Sequence, residues 1–182
     1  PGVALELRSL GSMPQIAALK EGTLDAGIVY DVHVDERDAQ LLDQARIGTG
    51  ETMLAIPRTH RFYDRDSISM REIADEPVLW PERRAMPAYH DRLMAACLDA
   101  GGAPRIVQEC TTNSILLSLA AAGMGIGFVT VTQPLPSLQH LRLVPVSDLH
   151  LRFEVLLVWR RHSQSAGLRH FIKMMAERAQ TA

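Results

Sequence analysis

Two short segments place small hydroxyl side chains where a predicted strand gives way to a predicted helix. Gly11, Ser12 and Met13 open one helix, and Thr111 with Thr112 precedes another. Free amides and the helix dipole favour anions at such starts, and open α/β sheets bind ligands at the carboxyl ends of strands. The same residue types also dominate the N-cap position, where they bond only their own helix. The pattern therefore predicts either a shared carboxylate site or plain helix capping.

A third segment, residues 80–89, joins a predicted strand to a predicted helix. Pro81 and Pro87 bracket this loop, and it ends in Tyr89. Because proline fixes the backbone angle φ, such a loop is a stiff way to present an aromatic ring to a ligand. The alternative is that Tyr89 packs on its own helix, and the two interpretations stay open.

Other motifs do not indicate catalysis or metal binding. The glycines of residues 123–127 close a helix and open a strand, whereas a phosphate-binding loop needs the reverse order, so they predict a helix end. Ser12 lacks the context of a nucleophile elbow. Seven histidines are scattered without metal-ligand spacing, at His33, His60, His90, His140, His150, His162 and His170.

Composition excludes several classes of protein. The 182 residues are 47% apolar, and 19 basic against 21 acidic side chains give a net charge of −2. This composition is that of a packed globule, not a disordered chain, and it offers no basic excess for nucleic acid. The sequence contains no membrane-span pattern and no signal-peptide pattern. Cys97 and Cys110 are expected to be buried free thiols, the alternatives being a reactive pair or a metal site.

The elements that must position these residues follow a strand–helix rhythm. Residues 3–7 alternate like a half-buried strand, and Ser12 as N-cap with Gln15 predicts a capping-box helix start. That helix ends at Gly22, and an apolar strand follows over residues 24–30. Strand, helix and strand in this order predict a parallel α/β unit.

The rhythm restarts after residues 48–50, a predicted hinge that follows an acidic loop and a short strand near Leu41. Later strands are predicted at 52–56, 78–80, 105–109, 126–131, 141–146 and 153–159. Helices are predicted at 69–74, 90–100 and 113–122, and a last one is capped by Ser165.

Several of these motifs together resemble the effector-binding domain of LysR-type transcriptional regulators. The similarity lies in residues 1–7, 11–12 with Gln15, 19–28, 56–60 with 76–77, 119–127 and 158–161. It runs over essentially the whole chain in the family's order, and it is greatest for the branch that regulates aromatic and muconate catabolism. One departure is that residues 128–131 continue without the family's usual proline.

The resemblance implies an α/β fold of two Rossmann-like lobes, joined by two crossover strands as in type II periplasmic binding proteins. Lobe I would comprise residues 1–50 and 150–182, and lobe II residues 51–149. The first strand and helix of lobe I would be absent from the chain, which starts abruptly at Pro1 and Gly2. The starting residues thus suggest a piece of something longer.

The resemblance also implies a function. A small carboxylate, an aromatic or muconate-like acid, would bind between the lobes and alter the oligomer to control transcription. Its contacts would be Gly11, Ser12, Met13, Tyr30, Pro87, Tyr89, Thr111 and Thr112. The protein would be cytoplasmic and homo-oligomeric, a dimer of this domain within a tetramer. It would need no cofactor, metal or membrane, and would reach DNA through an absent N-terminal winged helix-turn-helix.

Two alternatives belong to other classes. A periplasmic solute-binding protein would share the architecture but carry an export leader. An enzyme such as a dehydratase or deaminase would need paired carboxylates, a nucleophile–base pair or a metal cluster, and the sequence offers none of these. We therefore expect a sensor and no enzyme.

Overall fold

The structure, a computed structural model, describes residues 5–132, 138, 140–163 and 165–179. The chain divides into two compact units. Unit 1 consists of residues Pro1–Thr49 and Phe153–Ala182, and unit 2 is the continuous stretch Gly50–Arg152. None of the helices in these described ranges is both long and apolar enough to cross a membrane.

The described ranges contain six α-helices, one short 3-10 helix (Asp31–His33) and seven strands. The helices are α1 (Ser12–Glu21), α2 (Asp38–Leu41), α3 (Met70–Ile73), α4 (Pro87–Asp99), α5 (Asn113–Ala121) and α6 (Ala166–Ala179). The strands are β1 (Ala26–Tyr30), β2 (Leu42–Pro57), β3 (Pro77–Pro81), β4 (Arg105–Cys110), β5 (Ile126–Val131), β6 (Leu141–Pro145) and β7 (Arg152–Arg160).

Unit 1 is built on an antiparallel pair of strands from the two ends of the chain. Strand β1 pairs with β7, so that Ala26 lies opposite Trp159 and Tyr30 opposite Val155. Helix α1 ends at Gly22, whose φ of 79° is the left-handed conformation that glycine adopts readily. The apolar face of α1 is buried against these strands in a cluster of Ile16, Leu19, Val29, Leu42, Leu156 and Val158.

Unit 2 contains parallel strands in the order β4, β3, β5. Strand β3 pairs in parallel with β4 and with β5, and β2 adds antiparallel partners in β5 and β6. Helix α5 covers this sheet through a cluster of Ala55, Leu79, Cys110, Leu116, Ala120, Val129 and Leu141. The parallel pairing brings the carboxyl ends of β4, β3 and β5 to one edge.

The start of the chain differs from prediction. Residues 5–10 form no strand, and Leu5 and Leu7 are 65% and 92% exposed, because no strand of the described residues pairs with them. The predicted parallel unit over residues 3–30 is therefore not formed by its described part. The capping box is also wrong, since Gly11 is the N-cap of α1. Gln15 is engaged elsewhere, as described below.

The region around Leu41 also differs. The predicted short strand is the helix α2, whose start is stabilised because the Asp38 amide donates to Asp35 Oδ1 over 2.7 Å. Strand β2 then continues through the predicted hinge at residues 48–50 as extended backbone. Most other predicted elements form within a few residues of their expected bounds, and Ser165 caps α6 by accepting from the Leu168 amide. The expected crossover after residue 131 lies largely outside the described residues.

Candidate functional site

The carboxyl edge of the parallel strands in unit 2 brings together several predicted ligand contacts. The loop after β3 leads to Pro87 and Tyr89, and β4 leads directly to Thr111 and Thr112. The two strand ends are joined because the Glu82 amide donates to the Cys110 carbonyl over 2.9 Å. An edge of this kind is where open parallel sheets bind ligands.

Tyr89 lies in the first turn of α4 and is packed against the sheet. Its side chain is 5% exposed, and its phenol oxygen accepts a 3.2 Å hydrogen bond from Thr130 Oγ1 on β5. Pro87 is the first residue of α4, where proline fits because no helical amide partner is lost. The phenol is thus fixed in position at the edge, while its contact with a ligand remains a prediction.

Thr112 is an N-cap. Its hydroxyl oxygen accepts from the Ile115 amide over 3.2 Å, which satisfies one of the free donors at the start of α5. Thr111 precedes it and is exposed. Of the two hydroxyls, that of Thr111 is the one that does not serve the helix end.

The start of α1 in unit 1 has a different arrangement. Gly11 occupies the N-cap with no side-chain cap, and the first turn contains no acidic residue. Among the hydrogen bonds of the described residues, none involves the half-buried Ser12 hydroxyl. Met13 is 43% exposed beside it. A helix start without a capping side chain and without an acidic residue in its first turn is an arrangement that favours a bound anion.

Gln15, in the first turns of α1, has a structural role that the sequence did not predict. Its Nε2 donates to the Leu10 carbonyl and its Oε1 accepts from the Ile28 amide, both over 2.8 Å. The side chain therefore fixes the start of α1 relative to β1. Its spacing from Ser12 suggested a capping box, and no sequence signal pointed to Ile28.

Tyr30, at the end of β1, packs edge-to-face on Phe153 with ring centroids 6.0 Å apart. Burial raises the pKa of its phenol, so the group stays a hydrogen-bond donor further into the alkaline range than an exposed tyrosine does. Thr130 is a second residue that sequence reasoning missed. It is 41 positions from Tyr89, and nothing in a strand pattern indicates such a contact.

The thiols and the glycines of residues 123–127 match the simpler predictions. Cys97 and Cys110 are buried and unpaired, and burial raises the pKa of Cys97 to about 12 and also raises that of Cys110. Gly123, with φ of 79°, ends α5. No group of three histidine, cysteine or acidic side chains in the described part of the chain could hold a metal ion.

Comparison with known proteins gives one consistent result. Residues 1–180 match the LysR substrate-binding domain family. The HTH-type transcriptional regulator AlsR of Bacillus subtilis (strain 168) is 27% identical over 172 residues, which are 94% of this chain and 56% of AlsR. The chain spans about half the length of the curated relatives it matches.

Many solved structures share the fold, and those of CbnR and BenM are two of them. That of CbnR, a LysR family transcriptional regulator, superposes with a TM-score of 0.80 at 16% identity, covering 96% of this chain and 59% of CbnR. The BenM effector-binding domain with its effector benzoate gives 0.71 at 24% identity, covering 97% of this chain and 77% of that one. These likenesses confirm the predicted mixed α/β fold of the type II periplasmic-binding-protein kind. Because the family match extends over nearly the whole chain, this protein belongs to the LysR substrate-binding domain family.

Proposed function

We propose that this chain is the effector-sensing domain of a LysR-type transcriptional regulator and that its effector is a small carboxylate. The observation that carries the proposal is the family match over residues 1–180. Curated relatives named as HTH-type transcriptional regulators support regulation over the alternative of solute transport.

The start of α1 supports a carboxylate as the chemical class. The amides that follow Gly11 and the Ser12 hydroxyl provide donors, and no acidic side chain in the first turn opposes an anion. BenM has benzoate as its effector, which supports an aromatic or muconate-like acid for this chain as well. We therefore propose Gly11, Ser12 and Met13 as the carboxylate-binding group of unit 1, with Tyr30 beside it.

In unit 2 we propose Thr111, Thr112, Pro87 and Tyr89 as effector contacts. Thr111 is the stronger candidate of the two threonines, because the Thr112 hydroxyl is already bonded to the Ile115 amide. The bond from Thr130 fixes the Tyr89 phenol, so the ring would meet a ligand without losing side-chain entropy on binding.

Signalling would follow from differential affinity. An effector shifts the populations of two arrangements only by the difference in its affinity for them. In the whole cytoplasmic protein, we propose that this shift changes the arrangement of a homo-oligomer. That change would in turn alter DNA contacts made outside this chain, so the regulated activity belongs to the longer protein.

A thermal-shift screen of benzoate, muconate and related acids tests the proposal. A ligand at 100 times its Kd adds about 2.7 kcal/mol of stability, which for a domain of this size raises Tm by roughly 5–10 °C. Ser12→Ala should weaken binding of the responding acid by about tenfold to a hundredfold, since a hydrogen bond to a charged group contributes about 1.5–3 kcal/mol.

Ser67→Ala is the matched control, because Ser67 is exposed and lies outside the predicted site. Its response to the acid should equal that of the unmodified protein. Equal affinities of all three proteins would remove Ser12 from the site, and no response to any acid would contradict the carboxylate class.

A further inference from the structure

The side chain of Gln15 joins the segment before α1 to the strand β1. Its Nε2 donates to the Leu10 carbonyl and its Oε1 accepts from the Ile28 amide, each over 2.8 Å. Both bonds are made by one planar amide group, so the two backbone groups are held at a fixed separation. Gln15 therefore sets the position of residue 10 relative to β1.

The segment that Gln15 holds has few other attachments. Residues 5–10 form no helix or strand. Among the hydrogen bonds between described residues, the bond from Gln15 to Leu10 is the one that joins this segment to the rest of the chain, and another links Arg8 to Glu6 within it. Without the Gln15 bond, the backbone that enters α1 would be free to adopt several conformations.

Gly27 on β1 leaves the space in which the Gln15 amide lies. A Cβ built at residue 27 would be 2.8 Å from Gln15 Oε1, which is closer than a real Cβ atom comes to a neighbour. Any larger residue at this position would therefore displace the Gln15 amide from the Ile28 backbone. The helix and the strand are fitted to each other through this one side chain.

The start of α1 contains the donors that this attachment would position. The first amides of a helix have no acceptor within the helix, and proline has no amide to donate. Because Pro14 is the third residue of α1, the donors of the first turn are the Ser12 and Met13 amides and the Ser12 hydroxyl. Their directions depend on the backbone of Leu10 and Gly11, since no side chain caps the helix.

We propose that Gln15 is a positioning residue of the effector site, which holds the start of α1 in the conformation that binds the carboxylate. The inference rests on the proposed function of Gly11, Ser12 and Met13, and it adds the residue on which their affinity depends. Without the attachment, the ligand would have to order the backbone itself. Ordering one residue weakens binding by roughly fivefold to thirtyfold.

Relaxation of ¹⁵N nuclei in the unliganded protein tests the positioning without a ligand. The amides of residues 11–13 should have order parameters of about 0.85 in the unmodified protein and below about 0.6 in Gln15→Met. Methionine is a good helix former of similar length, but it lacks the amide donor and the carbonyl acceptor. Unchanged order parameters in Gln15→Met would overturn the inference.

Thr23→Val is the matched control at the other end of α1. The Thr23 hydroxyl donates to the Ala18 carbonyl over 3.3 Å, so the variant removes one hydrogen bond of the same helix. Its order parameters at residues 11–13 and its affinity for ligands should equal those of the unmodified protein. A loss that it shares with Gln15→Met would reflect general destabilisation and would overturn the positioning role.

Titration with benzoate and with muconate, followed at the Ser12 and Met13 amides, measures the effect on binding. Gln15→Met should weaken the responding acid about tenfold under conditions in which urea unfolding shows the variant to be folded. Ser12→Ala should then weaken it by less than about threefold further, since residues that act through each other have non-additive effects. A purely structural role for Gln15 would leave the full Ser12 effect in place. If Gln15→Met does not fold, Gly27→Ala, which displaces the Gln15 amide, decides by the same measurements.

The outcomes separate this inference from the proposed function. Binding that weakens in Ser12→Ala and in Gln15→Met, with non-additive effects, supports both. Binding that weakens in Ser12→Ala but not in Gln15→Met overturns the role of Gln15 and leaves the proposed function in place. Binding that weakens in neither variant, or no saturable shift with either acid, overturns the carboxylate-binding group and the role of Gln15 with it.

Discussion

Helices α1 and α5, one in each unit, begin with similar residues and use them differently. Gly11 is the N-cap of α1, so the Ser12 hydroxyl that follows is left out of the cap. At α5 the N-cap is Thr112 itself, and its hydroxyl bonds the Ile115 amide. A shift of one position along the helix start therefore decides whether a hydroxyl serves the fold or stays available to a ligand.

The two helices also differ in how they contact the strand beneath them. A Cβ added at Gly27 on β1 would lie 2.8 Å from Gln15 Oε1, the atom that bonds the Ile28 amide. A Cβ at Gly127 on β5 would lie 2.5 Å from Leu116 Cδ2 of α5. In unit 1, helix α1 contacts the strand through the polar side chain of Gln15. In unit 2, helix α5 contacts the strand through the apolar side chain of Leu116.

The largest expected effect concerns labelling of the two buried thiols of unit 2, Cys97 in α4 and Cys110 in the cluster beneath α5. With a pKa of about 12, Cys97 is thiolate in about one molecule in 10⁴ at pH 8, roughly 10³ times less often than an ordinary thiol. Cys110, buried in the α5 cluster, should also react slowly. Iodoacetamide labelling with peptide mapping measures both rates.

The control for labelling is Ser67→Cys, which places a thiol at an exposed position. It should react at the ordinary rate, and urea should expose all the thiols equally. Fast labelling of Cys110 in the native protein would mean that α5 opens readily and would reverse the view that apolar packing fixes it.

The next largest expected effect is the loss of stability when alanine replaces Gly27 beneath α1 or Gly127 beneath α5. Gly127→Ala should destabilise by about 1–3 kcal/mol, because Leu116 is fully buried and must leave its rotamer. Gly27→Ala should cost about 1 kcal/mol, since the flexible Gln15 can move at the expense of a hydrogen bond. Urea unfolding measures both, and Gly48→Ala, with no atom within 4 Å of the added Cβ, is the control. A larger loss at Gly27 than at Gly127 would reverse the comparison.

The smallest expected effect is the difference in stability between loss of the Thr112 hydroxyl and loss of the Ser12 hydroxyl. Thr112→Ala should lower stability by about 1 kcal/mol through loss of the cap, and Thr112→Ser should restore it. Ser12→Ala should change stability by less than about 0.5 kcal/mol, the usual limit for a side chain without such a role. Thermal unfolding monitors both, and equal losses would show that Ser12 contributes to its helix after all.

Short sequence patterns correctly predicted those helices and strands that depend on residues close together in the chain. Residues 126–131 form β5 as expected, and Ser165 caps α6 because the bonded amide is three positions away. The wrong predictions concern elements that depend on contacts with residues far away in the sequence. Residues 5–7 alternate like a strand, but a strand needs a neighbour.

The same limit applies to the candidate site. Residue types marked Ser12 and Thr112 as helix-start hydroxyls, but which of them caps its helix depends on one position of register. The bonds of Gln15 to Ile28 and of Thr130 to Tyr89 join separate elements, and no spacing rule encodes them.

The pairing of β1 with β7 has a consequence for biosynthesis. A ribosome delivers about 5–20 residues per second, and about 120 residues separate the end of β1 from its partner. Unit 2 is continuous and can fold during the roughly 5–25 s in which the edge of β1 that pairs with β7 has no partner. During that interval Ile28 and Val29 lie on an open strand edge, the kind of surface that aggregates and that chaperones cover. Nascent chains should therefore be most vulnerable just before residue 160 emerges.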